Sequence, residues 1–472
     1  MDKYDAVVIG GGIGGLTCAA LLAKKGARVA VFEKENRPGG YCSSFSVDGF
    51  TFDACVDSIG GLRKGEPLRR TLEEKLGIWD KLDFIELNPL RRNIFPDMTI
   101  DVPADVVQYK DKLKALFPKE REGIDNVFSA MDGIYISSLK TMCGEEDLSF
   151  QYDFMNATFY DFLSSFISDD RLKSALSTYC SFLGLPAREA SAIALSNILM
   201  HYVKGGAFRV CGGFQKLSDA LVESLKAHGG EFFSAEEVTG ILYDGANVTG
   251  IVTKNKRNVK ARHVISGIDI KTAIGLMEGC AVDMNRVNRI KKIKVSGSFV
   301  MVYIGVEDDL QSYSLPSNFG YFNSYDFDGM LNKNTKASFG MSFPSLLDSS
   351  VVPDGCGNVV IHWPLCYSKD PVEISKDGIS KKLIEELNGT IPGIAKKIVY
   401  QSVSSPSTLQ RYTGNTLGAA YGWEQEAGFL KNIPLFRNIA GNFHVVGHWA
   451  GYGGGIMPSM LSACKVSNEI TK

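Results

Sequence analysis

A glycine-rich turn near the start of the chain, flanked by two apolar runs, most strongly limits what this sequence can fold into. The run Val7-Val8-Ile9 leads into Gly10-Gly11-Gly12-Ile13-Gly14-Gly15, a helical stretch and a second apolar run that ends at Glu33. Gly10 permits the tight turn, Gly12 lets the backbone approach a pyrophosphate, and Gly15 lets the helix pack closely on the sheet. The helix N-terminus offers N–H groups to phosphates, and a carboxylate about 20 residues further on accepts ribose hydroxyls. The pattern predicts a Rossmann-like unit that binds a dinucleotide.

Bulk composition limits the classes of protein to which the chain can belong. Its 472 residues are enough for roughly two or three domains, and a net charge of −2 gives no support to nucleic-acid binding. Ten cysteines with no Cys-x-x-Cys pair and no grouping with histidine predict reduced thiols and no metal site. The longest apolar stretch, residues 190–203, is too short and too polar to cross a bilayer. The sequence predicts a cytoplasmic globular protein with no nucleic-acid partner.

Further segments shift the interpretation of the glycine turn from NAD towards FAD. They combine glycine pairs, which let the backbone pass close beside a long cofactor, with short strands and helix starts. In chain order they are 37–40, a hairpin pattern at 46–53 leading into 58–61, Gly212-Gly213 before a helix with Leu217, Leu221 and Leu225 on one face, strands at 231–233 and 237–242, and the apolar run 445–447 before the glycine-rich segment 448–455. A final helix is predicted to begin near Ile456, with its positive end facing the cofactor.

Taken in this order, the segments resemble the FAD-dependent phytoene desaturase, carotenoid isomerase and retinol saturase group of the amine-oxidase-like flavoprotein superfamily. The resemblance extends over nearly the whole chain. It implies an α/β fold: a Rossmann-like FAD-binding domain of the glutathione-reductase/amine-oxidase type, with an α+β substrate domain made of a mixed sheet and a helical cap. The expected FAD-binding domain is discontinuous, at 1–100, 204–292 and 430–472. The expected substrate domain comprises 101–203 and 293–429.

The resemblance also implies which residues bind FAD. The N-terminal glycines and Glu33 would bind the ADP moiety, the glycine pair before Tyr41 would line the ribityl–pyrophosphate path, and Val238 would hold adenine through its backbone. The C-terminal glycines would lie along the pyrophosphate and the flavin edge. The complete expected set is Gly10, Gly12, Ile13, Gly14, Gly15, Glu33, Lys34, Gly39, Gly40, Tyr41, Ser58, Ile59, Gly60, Val238, Gly447, His448, Gly454, Gly455 and Ile456. The alternatives are ordinary turns for the later glycines and an ordinary strand residue for Val238.

Three residues beside the expected flavin position depart from the family pattern. His448 stands where many relatives carry aspartate, Cys55 where they carry glycine, and Tyr452 where they carry proline. An imidazole at position 448 can donate to phosphate oxygens or serve as an acid or base, and the alternative is a passive residue of the cofactor wall. These departures bear on the type of reaction rather than on the cofactor.

Aromatic residues are concentrated on the expected substrate side. One short segment contains Tyr152, Phe154, Phe159, Tyr160, Phe162 and Phe166. It is consistent with a helix packed on the core or with an apolar wall of a substrate channel. Residues 298–305 alternate in hydrophobicity like a strand, and 359–363 form another. In the loop that follows, Tyr421, Trp423 and Glu424 are candidates for contacts above the flavin ring and, with His448, for catalytic roles.

Six basic residues before the aromatic segment raise the question of a membrane partner. They are Arg63, Lys64, Arg69, Arg70, Arg91 and Arg92. They would suit a peripheral contact at the cytoplasmic membrane face, although a solvated protein face is the simpler explanation.

The resemblance implies an FAD-dependent oxidoreductase that acts on carbon–carbon bonds of an elongated hydrophobic isoprenoid or polyene substrate. Desaturation, saturation and cis–trans isomerisation, by hydride transfer to or from flavin N5, all remain open. Because no second complete glycine motif is present, electrons are expected to pass to oxygen, a quinone, an external reductase or back to the substrate. The alternatives are an amine-oxidase-like flavoenzyme and a non-catalytic binding protein of the GDP-dissociation-inhibitor type.

Overall fold

The computed structural model describes residues 3–144, 153–245, 247–326, 338–365, 376–437 and 439–471, and Tyr152 lies outside these ranges. Its strands are β1 (Lys3–Ile9), β2 (Val29–Phe32), β3 (Ser44–Val47), β4 (Phe50–Asp53), β5 (Ile59–Gly60), β6 (Phe84–Glu86), β7 (Arg91–Ile94), β8 (Thr99–Val102), β9 (Ala207–Val210), β10 (Glu231–Phe233), β11 (Val238–Asp244), β12 (Asn247–Thr253), β13 (Asn258–Ser266), β14 (Ser298–Val306), β15 (Asn318–Tyr321), β16 (Phe339–Ser342), β17 (Gly357–Leu365), β18 (Ile398–Ser404) and β19 (Phe443–Val445). Its α-helices are α1 (Ile13–Lys24), α2 (Pro67–Arg70), α3 (Val106–Leu116), α4 (Arg121–Cys143), α5 (Phe159–Ser164), α6 (Asp170–Leu176), α7 (Ala192–Gly205), α8 (Gln215–Ala227), α9 (Ile270–Gly275), α10 (Met284–Lys292), α11 (Lys376–Thr390), α12 (Pro406–Thr413) and α13 (Ile456–Ile470).

Parallel strands form the centre of the first sheet, in the order β10, β2, β1, β13 and β19. Every residue of β2 is buried, because α1, α8 and α13 pack on one face of the sheet and α9 and α10 on the other. Uninterrupted apolar runs are typical of strands covered on both faces. The antiparallel hairpin β11–β12 extends the sheet beyond β13. This architecture confirms the predicted Rossmann-like fold.

The second sheet is mixed and has the order β18, β14, β17, β16, β15, β7 and β8. Since β7 and β8 belong to it, the predicted domain boundary at residue 100 falls inside a strand of this sheet. The strand predicted for residues 298–305 is confirmed as β14, but it is buried almost throughout rather than on alternate residues. Its Val302 and Ile304 pack against α11, while Met301 and Tyr303 pack against the hairpin β3–β4.

Helices α3 to α7 form the helical cap beside β7 and β8. Phe159, Phe162 and Leu163 of α5 are almost completely buried in the core of this cap. The described part of the aromatic segment therefore packs mainly in a core, the first of the two alternatives. Within the described ranges, no helix combines the length and the apolar character needed to cross a bilayer.

A buried ion pair joins the hairpin β3–β4 to strand β9. Asp53, at the end of β4, lies 2.5 Å from the Arg209 guanidinium of β9, and their side chains are only 4% and 3% exposed. The other carboxylate oxygen accepts hydrogen bonds from the Ser44 hydroxyl at 2.6 Å and from the Phe214 backbone N–H at 2.7 Å. Asp53 thereby links the hairpin, β9 and the start of α8.

Two histidines face each other on the adjacent strands β13 and β19. Nδ1 of His263 lies 3.2 Å from Nε2 of His444. Burial lowers the pKa of both imidazoles, and that of His444 to about 4. Both rings are therefore neutral at pH 7 in the folded protein.

Acidification from about pH 7 to about pH 5 is expected to destabilise the fold less in His444→Gln than in the wild type. In the unfolded chain a histidine takes up its proton at about pH 6.5, whereas folded His444 does so at about 4. The stabilising effect of neutral His444 is therefore complete above about pH 6.5 and is lost as the pH falls towards 4. Burial raises the pKa of Glu33 and Glu424, which acts in the opposite direction. Urea denaturation of both proteins at both pH values isolates the histidine contribution, and identical pH dependences would contradict it.

Candidate functional site

The carboxyl ends of β1 and β19 open into one large cavity. It has a volume of about 850 Å³ and is lined by residues of both sheets, of the helical cap and of the start of α13. Ligands of doubly wound sheets bind at this edge, outside the carboxyl ends of the strands. The cavity is therefore the candidate cofactor and substrate site.

Two glycine-rich segments, 10–15 and 447–455, form one end of the cavity, and we call them the glycine cradle. They meet because β1, β13 and β19 run parallel. A Cβ atom on Gly14 would stand 2.6 Å from Cα of Gly447, and one on Gly15 would stand 2.3 Å from the carbonyl oxygen of Gly10. Side chains at these positions would separate the two segments, or α1 from its strand.

The glycine cradle also has open space and free polar groups, which fit FAD. A Cβ atom on Gly12 or Gly447 would meet no other atom within 4 Å. α1 begins directly after Gly12 and α13 directly after Gly455, and neither helix has a side-chain cap or an acidic residue in its first turn. The N–H groups of both helix starts are thus available to phosphate oxygens and to polar ring atoms. Gly12 and Gly447 would hold the pyrophosphate, and Ile456 the flavin edge.

Glu33 follows β2 and lies beside the glycine turn. Its carboxylate accepts hydrogen bonds from the backbone N–H groups of Gly11 at 2.6 Å and Glu35 at 2.8 Å. Burial raises the pKa of this carboxyl, while the two backbone hydrogen bonds oppose that rise. Glu33 therefore stabilises the glycine turn itself, in addition to lining the cavity where ribose hydroxyls are expected.

Replacing Glu33 by alanine is expected to reduce FAD affinity about ten- to a hundredfold, because hydrogen bonds to a charged acceptor are lost. The N–H groups of Gly11 and Glu35 also lose their acceptor. Glu33→Gln keeps the size and one acceptor oxygen, so it is expected to retain more FAD than Glu33→Ala. The ratio of flavin to protein absorbance after gel filtration measures retention, and equal ratios in both variants and the wild type would contradict the ribose role.

Most of the predicted cofactor residues line the cavity. They are Gly10, Gly12, Ile13, Gly14, Glu33, Gly39, Gly40, Tyr41, Ser58, Ile59, Gly60, Gly447, His448, Gly454, Gly455 and Ile456. Gly15, Lys34 and Val238 are not part of the cavity wall, and their contacts with the cofactor stay predictions. The Lys34 ammonium donates to the carbonyl of Arg411 at 2.8 Å, and Val238 pairs with Thr253 in the hairpin β11–β12.

The loop after α12 brings one of its three candidate residues into the cavity. Tyr421 lines it, directly beside Gly454, whereas Trp423 and Glu424 do not, and this corrects the prediction. Trp423 is 1% exposed, with its ring stacked on that of Phe436, and Glu424 forms an ion pair with Lys294. Between Tyr421 and Trp423 stands Gly422, whose φ of +77° is a left-handed conformation, so the two aromatic side chains need not share one side of the backbone.

The three residues that depart from the family pattern all line the cavity. Burial lowers the pKa of His448 to about 4, so its imidazole is neutral at pH 7, and Nδ2 of Asn415 lies 3.5 Å from its Nε2. Burial raises the pKa of Cys55 to about 12, so its thiol is protonated. The Tyr452 hydroxyl accepts a hydrogen bond from Arg437. In the part of the chain that is described, no group of three or more His, Cys, Asp or Glu side chains could hold a metal ion.

Aromatic side chains continue the cavity surface away from the glycine cradle. The Tyr421 ring lies 6.5 Å from that of Phe182 and 6.0 Å from that of Phe299. Phe182 lies 5.2 Å from Tyr179, which stacks at 5.4 Å on Tyr202. We call these five residues the aromatic wall. It provides an apolar surface suited to a flat, elongated ligand.

Several polar residues beyond the aromatic wall were not predicted as site residues. Asp57, Arg91, Asn318 and His362 all line the cavity. The Asn318 amide donates to the Asp57 carboxylate at 3.0 Å, and burial lowers the pKa of His362. The signal in the sequence is a polar residue within a mostly apolar strand, as at His362 in β17, and recognising it requires knowing which face of the strand meets the cavity.

The predicted basic surface is largely neutralised. Ion pairs join Arg63 to Glu86 at 2.6 Å, Arg69 to Glu73 at 3.2 Å and Arg92 to Asp101 at 2.6 Å. Arg91 is buried in the cavity wall. The peripheral membrane contact stays a prediction.

Comparisons with known proteins agree with this geometry. The family model described as flavin containing amine oxidoreductase matches residues 13–471. Chloroplastic prolycopene isomerase of Daucus carota is 26% identical over 446 residues, which cover 88% of this chain and 71% of that protein. All-trans-retinol 13,14-reductase of Danio rerio is 25% identical over 482 residues, which cover 89% of this chain and 78% of that protein.

A solved structure shows the same fold. Putrescine oxidase bound to putrescine has a TM-score of 0.72 at 16% identity, and the match covers 99% of both chains. At this identity the likeness concerns the fold and not the substrate.

Proposed function

The chain belongs to the flavin containing amine oxidoreductase family, and we propose that this FAD-dependent oxidoreductase acts on carbon–carbon bonds of an elongated hydrophobic polyene or isoprenoid. Bound FAD supplies the two-electron redox chemistry. The observation that carries the proposal is the aromatic wall, which begins beside Gly454 of the glycine cradle and continues as an apolar surface. The relatives named for prolycopene and for retinol support the same substrate class.

The protein's own residues bind and orient the substrate and exclude water from it. Tyr421, at the junction of the glycine cradle and the aromatic wall, would contact the reacting end of the substrate. Burial holds the pKa of its phenol well above the usual value near 10, so the hydroxyl stays protonated and can donate a hydrogen bond. His448 is neutral and can accept a proton at a ring nitrogen. We therefore propose Tyr421 and His448 as the residues nearest to the chemistry.

The direction of the reaction and its redox partner are separate parts of the proposal. Desaturation, saturation and isomerisation all require a flat chain held beside the cofactor residues, which the aromatic wall provides for each of them. An external acceptor, either oxygen, a quinone or a reductase, would complete the cycle in a net oxidation. The names of the two relatives, an isomerase and a reductase, fit more than one direction.

Product analysis of the holoenzyme tests the proposal. The protein is incubated with a panel of polyenes, once under air and once anaerobically with dithionite-reduced FAD. The products are separated by chromatography and their masses are measured by mass spectrometry. We expect one polyene to lose two hydrogens, to gain two, or to change geometry. Tyr421→Phe is expected to slow that conversion, while Tyr243→Phe, an exposed tyrosine outside the cavity wall, serves as the matched control. No conversion of any polyene, together with peroxide production from an amine, would replace the proposal with amine oxidation.

A further inference from the structure

Resting on the proposed function, we propose that the substrate is amphipathic, with an apolar chain along the aromatic wall and a carboxylate that binds the guanidinium of Arg91. This names the end group of the substrate, which neither the fold nor the family determines. The proposal rests on four observations about Arg91: it is buried, it forms no ion pair with a described residue, its guanidinium packs against Gly320, and it lies beside the aromatic wall.

Arg91 is a buried cation that forms no ion pair with any residue that the structure describes. Its side chain is 9% exposed and lines the cavity. Among the residues that the structure describes, none forms an ion pair or a hydrogen bond with its guanidinium. The carbon Cζ of Arg91 lies 5.5 Å from the ring centroid of Tyr179 and 6.0 Å from that of Phe322. Burying a charge without a partner is costly, so a buried arginine ordinarily has a carboxylate or phosphate beside it. A ligand anion would fill that role here.

The fold provides a specific seat for this guanidinium. A Cβ atom on Gly320 of β15 would stand 2.2 Å from an Nη atom of Arg91. Since β15 pairs with β7 in parallel, with Gly320 opposite Asn93, any larger residue at position 320 would displace the guanidinium. Oδ1 of the same Asn93 is buried without a hydrogen-bond partner in the described residues. The absence of a side chain at position 320 thus leaves room for the guanidinium.

The position of Arg91 separates its role from that of the cofactor residues. It is reached from Tyr421 through Phe182 and Tyr179, with ring spacings of 6.5 and 5.2 Å and a last step of 5.5 Å to the guanidinium. Arg91 and its recorded neighbours come from the second sheet and the helical cap, not from the glycine cradle. It therefore suits the distal end of a substrate rather than the pyrophosphate.

The other charged and titratable groups of this region do not neutralise Arg91. Asp57 and Arg91 both act electrostatically on Tyr179 and His362. Asp57 forms no ion pair with Arg91, and its carboxylate accepts a hydrogen bond from Asn318. His362 is neutral at pH 7, because burial lowers its pKa. A carboxylate that reaches this part of the cavity would therefore meet the positive charge of Arg91, beside the aromatic wall.

Affinities of matched ligands test the inference. All-trans-retinoic acid, its methyl ester and retinol are titrated into the holoenzyme, and binding is followed by the change in the flavin spectrum and in tryptophan fluorescence. We expect the acid to bind the wild type about ten- to a hundredfold more tightly than the ester. Arg91→Met should remove this preference while leaving affinity for the ester unchanged, and Arg91→Lys should keep part of it. Gly320→Ala, which displaces the guanidinium, should also reduce the preference.

Controls separate the inference from folding defects and from the proposed function. Arg92→Met changes the adjacent arginine, which does not line the cavity, and should leave the preference intact; flavin content and unfolding midpoints report on folding. Equal loss of acid and ester binding in Arg91→Met, or a wild type that prefers the ester, would overturn the inference. Conversion of neutral polyenes without any acid preference would overturn the inference and leave the function standing. Arg91-dependent binding of palmitate, with no polyene converted, would support a carboxylate site at Arg91 and overturn the proposed function.

Discussion

Replacing Asp53 by asparagine is expected to lower the free energy of unfolding by about 3–5 kcal/mol, the typical cost of removing one partner of a buried ion pair. The exchange leaves Arg209 charged and buried, with side chains at this site only 3–4% exposed. Asparagine still offers an oxygen to the N–H of Phe214, so the loss reports on the ion pair rather than on the helix start. Urea denaturation followed by circular dichroism measures it.

A second substitution and an exposed pair provide the controls for Asp53. Asp53→Asn combined with Arg209→Met removes both charges, so the double variant should recover much of the lost stability. Arg63→Gln breaks an ion pair whose side chains are 38% and 40% exposed, and should cost no more than about 1 kcal/mol. A double variant as unstable as Asp53→Asn would show that the charge pair is not the reason for the loss.

Gly12→Ala is expected to fold normally and to lose FAD affinity about ten- to a hundredfold. The backbone at Gly12 has φ −75° and ψ 170°, which alanine adopts without strain. The new methyl group would meet no protein atom within 4 Å, so the stability of the apoprotein should fall by less than about 1 kcal/mol. The methyl group would instead enter the space where the pyrophosphate is expected to bind. FAD titration of the apoprotein, followed by fluorescence quenching, measures the affinity.

Two other glycines provide controls for the Gly12→Ala substitution. Gly389→Ala lies in an exposed part of α11, also with open space around its Cβ atom, and should leave FAD affinity unchanged without lowering stability. Gly14→Ala would bring a methyl group to 2.6 Å from Cα of Gly447, so both properties should suffer. If Gly12→Ala bound FAD as the wild type does, the cofactor would not pass over Gly12.

Local patterns predicted the first sheet well. Contacts between neighbouring segments determine the glycine turn, the helix that follows it and the position of Glu33. The residue types at these positions therefore predict the local geometry. The strands β2 and β10 and the start of α13 at Ile456 were predicted for the same reason. The cofactor followed from the order of such segments along the chain.

Features that depend on distant parts of the chain were predicted less well. β14 is buried on both faces because α11 and the hairpin β3–β4 arrive from far away in the sequence. Trp423 faces a core although its neighbour Tyr421 lines the cavity. The role inferred for Arg91 depends on the lack of a partner in three dimensions, which no spacing of residues in the sequence can show.

Anaerobic spectroscopy of the holoenzyme tests the central claim most directly. The visible flavin spectrum of the purified protein is recorded in the oxidised form and after reduction, before and after addition of each polyene. The account predicts bound FAD and a polyene that reduces the oxidised form, reoxidises the reduced form, or is isomerised by the reduced form with a shift of its spectrum. The account would be contradicted if no polyene changed the spectrum of either the oxidised or the reduced flavin while an amine bleached the oxidised flavin. A protein that takes up no FAD would also contradict it.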